Sequence, residues 1–356
     1  MFFSGRLLRG LAFTLTAAMA VAGVACNGGS GGDEVKLQGA GATFPMPLYQ
    51  KWISEYGKLH RDVKIDYQSI GSGGGIKQLQ AQTVDFGASD APMTEEEIKG
   101  APGPIVHIPT VLGAVVLTYN LVEATKPLRF SPDVIADIFL GKITKWNDAR
   151  IKADNADVNL PAADISTVHR SDGSGTSFVF TDYLSKVSAE WKDKVGAKKS
   201  PKWIGGIGAK GNEGVTSQVK QTPHTIGYVE LAYAVQNKLP VALIKNKSGN
   251  FVEPSIDAVT SAAAGTVAQT PEDLRVSITD AEGATAYPIS SYTYILVYQE
   301  QKDATKGKAL VDFLWWGVHD GENFAKELLY APLPAEIVKR VETKINSITA
   351  GGKPLR

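Results

Sequence analysis

The sequence predicts an α/β protein large enough for two cores, and three observations carry that prediction. Strand-like runs alternate with amphipathic stretches at helical spacing along most of the chain. Glycine-rich turns after residues 38, 69 and 169 each join a strand-like run to a helix start. Of 356 residues, those after position 26 suffice for two hydrophobic cores of ordinary size.

The chain opens on a targeting segment, residues 1–25. Arg6 and Arg9 make its start positive, and the apolar run 11–24 is too short and wrongly flanked for a membrane span. It ends in Gly23-Val24-Ala25-Cys26, which resembles a bacterial lipoprotein cleavage box with Cys26 as lipid acceptor. Gly23 departs from the leucine usual there, and a plain secretory signal cut near Ala25 is the other reading. Cys26 is the only cysteine, so no disulfide framework is available. Residues 26–35 form the tether, of which 27–33 (NGGSGGD) are flexible by composition. The 37 basic residues balance 37 acidic ones, and without Arg6 and Arg9 the count is 35 against 37. Nothing there suggests nucleic acid. No repeat and no later membrane-spanning run is present.

A short strand at 34–38 leads into Gly39-Ala40-Gly41-Ala42-Thr43-Phe44-Pro45. Leu48, Trp52, Ile53, Tyr56 and Leu59 then recur at helical spacing, and Pro45 and Pro47 suit a helix start. Thr43 and the Phe44 N–H sit where such a start binds anions. The turn lacks the Gly-Lys-Ser/Thr ending of a P-loop. Trp52 and Tyr56 belong to the core. Residues 63–70 alternate like a strand and run into Gly71-Ser72-Gly73-Gly74-Gly75, with Ser72 at the cap of the next helix. Residues 85–89 form a strand ending at Asp90, and Thr94-Glu95-Glu96-Glu97 opens a helix whose acids suit the dipole. The plain role for Asp90 is a cap. A carboxylate beside a bound dianion is repulsive unless a proton lies between them, so contact with Asp90 demands a protonated ligand.

Strands at 105–109 and 114–119 lie close enough to be one chain path crossing between two lobes. Ser131-Pro132 caps a helix to Leu140. The central stretch is His169-Arg170-Ser171-Asp172-Gly173-Ser174-Gly175-Thr176-Ser177, between a strand at 165–168 and a helix from Phe178 to Val187. Its glycines admit a ligand to the backbone, its hydroxyls donate, and Arg170 adds a five-donor guanidinium. Asp172 is placed to pair with Arg170 and fix that fork. An N-cap turn beside a surface arginine explains one such stretch; three in one chain favour an oxyanion. Residues 192–202 read as a charged, solvated stretch. Gly206 to Gly211 matches a dinucleotide fingerprint, but no long strand precedes it. Residues 211–214 are a turn before a helix at 215–221, and 226–229 a strand. Residues 246–268 are loop with a small helix. A second crossing starts at 286, with a strand at 292–298 and helices at 309–316 and 335–345 whose apolar stripes need a core.

From Lys36 to Arg356 the chain resembles the extracytoplasmic phosphate-binding protein of bacterial ABC phosphate importers, of the periplasmic binding protein superfamily. The resemblance rests on the turns at 39–45, 70–75 and 170–180, on 83–92 (TVDFGASDAP), on 141–146 (GKITKW), on 226–230 (IGYVE) and on the ending 352–355. It implies a two-lobe fold with a hinge and an interlobe ligand cleft. The lobes are then 36–110 with 286–356, and 111–285. It implies phosphate contacts at Thr43, Phe44, Ser72, Asp90, Arg170, Ser174, Gly175 and Thr176, with Asp172 orienting Arg170. It implies no catalysis, metal or cofactor, and as partners inorganic phosphate and the membrane permease and ATPase subunits of an importer. The expected state is a monomeric lipoprotein in the periplasm or cell envelope. Gly73 and His169 stand where a serine and an arginine are common, and neither is a contact.

Two other functions fit the anion turns. A secreted phosphoryl-transfer hydrolase needs a metal cluster or an activated nucleophile. Its prospects are poor here, because His60, His107, His169, His224 and His319 include no pair four apart and Ser174 lacks a nucleophile elbow. A binding lipoprotein for another oxyanion is nearer: Asp90 argues against sulfate, whereas arsenate fits.

Overall fold

The computed structural model describes residues 34–356. The targeting segment, Cys26 and all but the last residues of the tether lie outside them. The first half runs β1 (Val35–Gly41), α1 (Met46–Leu59), β2 (Val63–Ser69), α2 (Ser72–Gln80), β3 (Phe86–Ser89), α3 (Glu95–Lys99) and β4 (Ile105–Asn120). Then come β5 (Arg129–Phe130), α4 (Pro132–Phe139), α5 (Ala149–Asp154), β6 (Ser166–Arg170), α6 (Gly175–Val187), α7 (Ala189–Lys194), β7 (Ile207–Ala209), α8 (Gly211–Gln221), β8 (Thr225–Glu230) and α9 (Leu231–Gln236). The chain closes with β9 (Leu243–Lys245), β10 (Phe251–Val252), α10 (Ile256–Ala264), β11 (Ser290–Tyr298), β12 (Glu300–Gln301), α11 (Ala304–Val318), α12 (Ala335–Asn346), β13 (Thr349–Ala350) and β14 (Lys353–Pro354).

Eight strands form the main sheet in the order β2-β1-β3-β11-β4-β8-β6-β7. The strands that feed the anion turns pair in parallel, β1 with β2 and β3, and β6 with β7 and β8. Strands β11 and β4 run antiparallel between these two groups. The two strands expected at 105–109 and 114–119 are one, β4. It pairs with β11 up to Ala114 and with β8 from Val115 onward. Gly113 and its neighbours never leave the sheet, because β11 continues to supply hydrogen-bond partners there.

Of the apolar stripe expected on α1, Leu48, Trp52 and Tyr56 are buried together with Tyr49, Ile53 is half-buried, and Leu59, in the last turn, is exposed. The Trp52 indole donates to Gly321 O at 2.8 Å, so the chain's last third packs back on its first helix. Gly317 lets α11 approach, since a Cβ there would stand 2.9 Å from the Trp52 ring. The charged side chains of 192–202 are exposed as expected, apart from Lys199. Helix α7 buries Trp191, and Lys199 forms an ion pair with Glu97 at 2.6 Å. Ser131 is the N-cap of α4 but its hydroxyl bonds Asp154 instead of the helix. Among the described residues no helix is long and apolar enough to cross a membrane.

Candidate functional site

The site is built from strand ends. Strand β1 stops at Gly41, and Thr43 and Phe44 lead into α1, whose N-cap is Pro45. Strand β2 stops at Ser69, and Gly71 caps α2 at φ 85°, a conformation only glycine takes without strain. Ser72 is therefore the first helical residue and not the cap expected from sequence. Its hydroxyl, free of capping, accepts from the Gly175 N–H at 3.0 Å and the Asp90 N–H at 3.3 Å. Strand β6 ends at Arg170, and Ser174 caps α6 by accepting from the Ser177 N–H at 3.0 Å. Gly175 and Thr176 are thus the first residues of α6.

The fold brings all eight sequence-derived candidates together and buries them: Thr43, Phe44, Ser72, Asp90, Arg170, Ser174, Gly175 and Thr176. Arg170 is only 3% exposed, and a buried charge needs compensation. Asp172 supplies it, taking Nε at 2.7 Å and Nη2 at 2.5 Å in a two-pronged pair. Asp172 also accepts from the Gly211 N–H at 3.1 Å. Burial pushes its carboxyl up, but Arg170 and these bonds outweigh that and hold it below the ordinary value. The third guanidinium nitrogen, Nη1, points to the Thr176 hydroxyl at 3.4 Å.

Asp90 is the odd member. It is 1% exposed, and burial raises its carboxyl to about 7 against the weaker opposing pull of Thr293 and Arg170. Oδ1 accepts from the Thr293 hydroxyl at 2.8 Å. Oδ2 has no hydrogen-bond partner among the described residues, and a Cβ on Gly175 would stand 2.4 Å from it. This carboxylate oxygen therefore lies against the first turn of α6. Capping of α3, the plain role considered for Asp90, falls instead to Thr94 and Glu97. Among the described residues, the backbone N–H groups of Phe44, Ser72 and Thr176 meet no protein acceptor. The arrangement offers one guanidinium, several hydroxyl and N–H donors, and one carboxylate that needs a proton facing it. That set suits a protonated oxyanion. Among the described residues it has no nucleophile–base pair: the Ser174 hydroxyl accepts only its cap bond from the Ser177 N–H, which leaves its proton to donate, and His169 stacks on Trp203 with ring centroids 4.8 Å apart. Among the described residues, no cluster of His, Cys, Asp or Glu is placed to hold a metal.

Sequence reasoning missed five neighbours. Thr293 holds Asp90 from β11, beside a register shift in the β4–β11 pairing. Asn212 donates to both Thr43 and Thr176. The Tyr233 hydroxyl donates to Thr43 O at 2.6 Å and the Tyr330 hydroxyl to Phe44 O at 2.7 Å. Glu230 accepts from the Ala232 N–H at 2.9 Å beside the Tyr330 hydroxyl, and burial pushes its carboxyl well above the ordinary range. Asn212 stood in a stretch read as a turn, but α8 begins at Gly211. Nothing local separates these residues from an ordinary cap, strand or core position.

A family model described as a PBP superfamily domain matches residues 21–315. The chain is 48% identical over 310 residues to the phosphate-binding protein PstS of Xylella fastidiosa, covering 86% of this chain and 84% of that one. It is 46% identical over 309 residues to the phosphate-binding protein PstS of Pasteurella multocida, covering 86% and 89%. Among solved structures, a phosphate-binding protein from Stenotrophomonas maltophilia shares the fold at a TM-score of 0.67 and 21% identity, covering 87% of this chain and 93% of that one.

Proposed function

The chain belongs to the PstS phosphate-binding proteins of the PBP superfamily, and from that premise we propose that it captures inorganic phosphate outside the inner membrane and delivers it to an ABC importer. The observation that carries this reading is Asp90 Oδ2, buried without a partner at the start of α6, among donors from three strand-to-helix turns. Arg170, Ser72, Ser174, Thr43 and Thr176, with the Phe44 N–H and the first turn of α6 at Gly175, are the proposed contacts to the phosphate oxygens. Hydrogenphosphate or dihydrogenphosphate directs its proton to Asp90. Asp172 holds the Arg170 fork in place. The protein binds and releases; it does not turn over a substrate.

The lobes in this reading are 36–110 with 286–356, and 111–285. Support comes from β4, which exchanges β11 for β8 between Ala114 and Val115. Closure then joins Gly73 N–H to Gly173 O at 2.8 Å and Lys199 to Glu97. The mature chain is a monomer, held at the envelope by lipid on Cys26. Replacing Cys26 with Ser should move it from the membrane to the soluble fraction, and unchanged fractionation in a lipoprotein-processing host would refute the anchor.

Calorimetry of the mature chain with phosphate, arsenate and sulfate tests the main reading. The expected result is one site that takes phosphate and arsenate and excludes sulfate. Sulfate binding as tight as phosphate, or no phosphate binding, overturns it.

A further inference from the structure

We propose that Asn212 is a positioning residue of this site: its side-chain amide turns the hydroxyls of Thr43 and Thr176 into obligatory donors toward the bound oxyanion. The inference rests on the functional reading above and deepens it. Asn212 is the second residue of α8 and is fully buried. Its Oδ1 accepts from the Glu230 N–H at 2.9 Å, which settles the orientation of the amide. Nδ2 therefore faces the two threonines, at 2.7 Å from Thr43 Oγ1 and 3.1 Å from Thr176 Oγ1.

A hydroxyl has one proton and two lone pairs. Thr43 Oγ1 accepts a second bond from the Asn212 backbone N–H at 3.2 Å. Thr176 Oγ1 accepts a second from Arg170 Nη1 at 3.4 Å. Both lone pairs on each oxygen are engaged, so each hydroxyl is left with only its proton to offer. Among the described residues, neither donates to a protein acceptor. A free hydroxyl rotor serves as donor or acceptor alike. These two are restricted to donation, which suits an oxyanion whose one proton is directed to Asp90. The same amide spans two turns, since Thr43 precedes α1 and Thr176 opens α6. It thereby registers the two donors against each other.

A double-mutant cycle on phosphate affinity tests the role. Asn212→Ala should weaken binding about 10- to 100-fold, as expected when hydrogen bonds to a charged ligand are lost. In a Thr43→Val/Thr176→Val background the same substitution should change Kd by less than about threefold, because its targets are gone. Equal losses in both backgrounds, or no loss in the wild-type background, overturn the proposal. Asn212→Asp keeps the size and the acceptor for Glu230 but presents lone pairs to both hydroxyls. It should bind no better than Asn212→Ala; recovery to wild-type affinity overturns the proposal, and this variant decides the matter if Asn212→Ala does not fold. Wild type that takes up none of phosphate, arsenate and sulfate refutes the functional reading and this inference with it. Wild type that binds while the cycle is additive refutes the inference alone.

Discussion

Gly175→Ala is expected to separate closure from folding. Gly175 opens α6, where alanine is intrinsically the better helix former by about 1 kcal/mol. Its φ is not in the left-handed region, so the new methyl strains nothing within its own helix. Across the junction the added Cβ would stand 2.4 Å from Asp90 Oδ2, 2.4 Å from Ser72 Oγ and 2.7 Å from Asp90 Cβ. Unbonded heavy atoms rest near 3.5 Å, so the turns must separate by about 1 Å. That separation stretches the Gly175–Ser72 bond of 3.0 Å, the Gly73–Gly173 bond of 2.8 Å and the Asn212–Thr43 bond of 2.7 Å. At about 1 kcal/mol each, their loss costs about 3 kcal/mol, or roughly a hundredfold in phosphate affinity. Calorimetry gives the affinity, small-angle scattering gives the compaction on adding phosphate, and thermal melting gives the stability of the ligand-free chain. The expected result is an unchanged or slightly raised melting temperature, a large loss of affinity and little compaction. Wild-type affinity with full compaction would refute the placement of Asp90 against α6.

Three further outcomes follow from the charges. Asp90→Asn should raise sulfate affinity relative to phosphate, because it removes a buried like-charge contact and offers an N–H to a fully deprotonated anion; an unchanged ratio of dissociation constants in a folded variant counts against that role. Asp90 also makes stability depend on pH: its value in the fold, about 7, lies above the ordinary carboxylate value, so its contribution is complete at low pH and is lost as pH rises through about 7. Ligand-free wild type should therefore lose more stability than Asp90→Asn between about pH 5 and about pH 8, and parallel melting curves would show that the carboxyl titrates as if exposed. Arg170→Lys should weaken phosphate binding far more than Ser174→Ala, since lysine cannot reproduce the fork that Asp172 grips, and Asp172→Asn should fall between them; titrations giving equal losses would assign the affinity to backbone donors instead.

Much of the site is legible in the sequence because it is local. Glycines and hydroxyl residues at the end of a strand dictate a helix start, and a helix start dictates free N–H groups, whatever the rest of the chain does. The Arg170–Asp172 pair is local too, two residues apart in one turn. Even the exception is instructive: Ser72 was expected as a cap, but the positive φ of Gly71 moves the cap back one residue and frees the hydroxyl. The continuity of β4 was not legible, because whether Thr110 to Gly113 stay in the strand depends on β11, which follows far along the chain.

The remaining decisions belong to tertiary structure. Asp90 bonds Thr293 across 203 positions and Thr43 bonds Asn212 across 169. No spacing rule reaches that far, and an asparagine at a helix start or a threonine in a strand is commonplace. Sequence determined which donor groups stand at the strand ends, since donor type and helix starts follow from nearby residues. Only the folded chain decided which oxygen of Asp90 is left unpaired and which hydroxyls are left with only a proton to give, because hydrogen-bond capacity is divided among whatever neighbours the packing supplies.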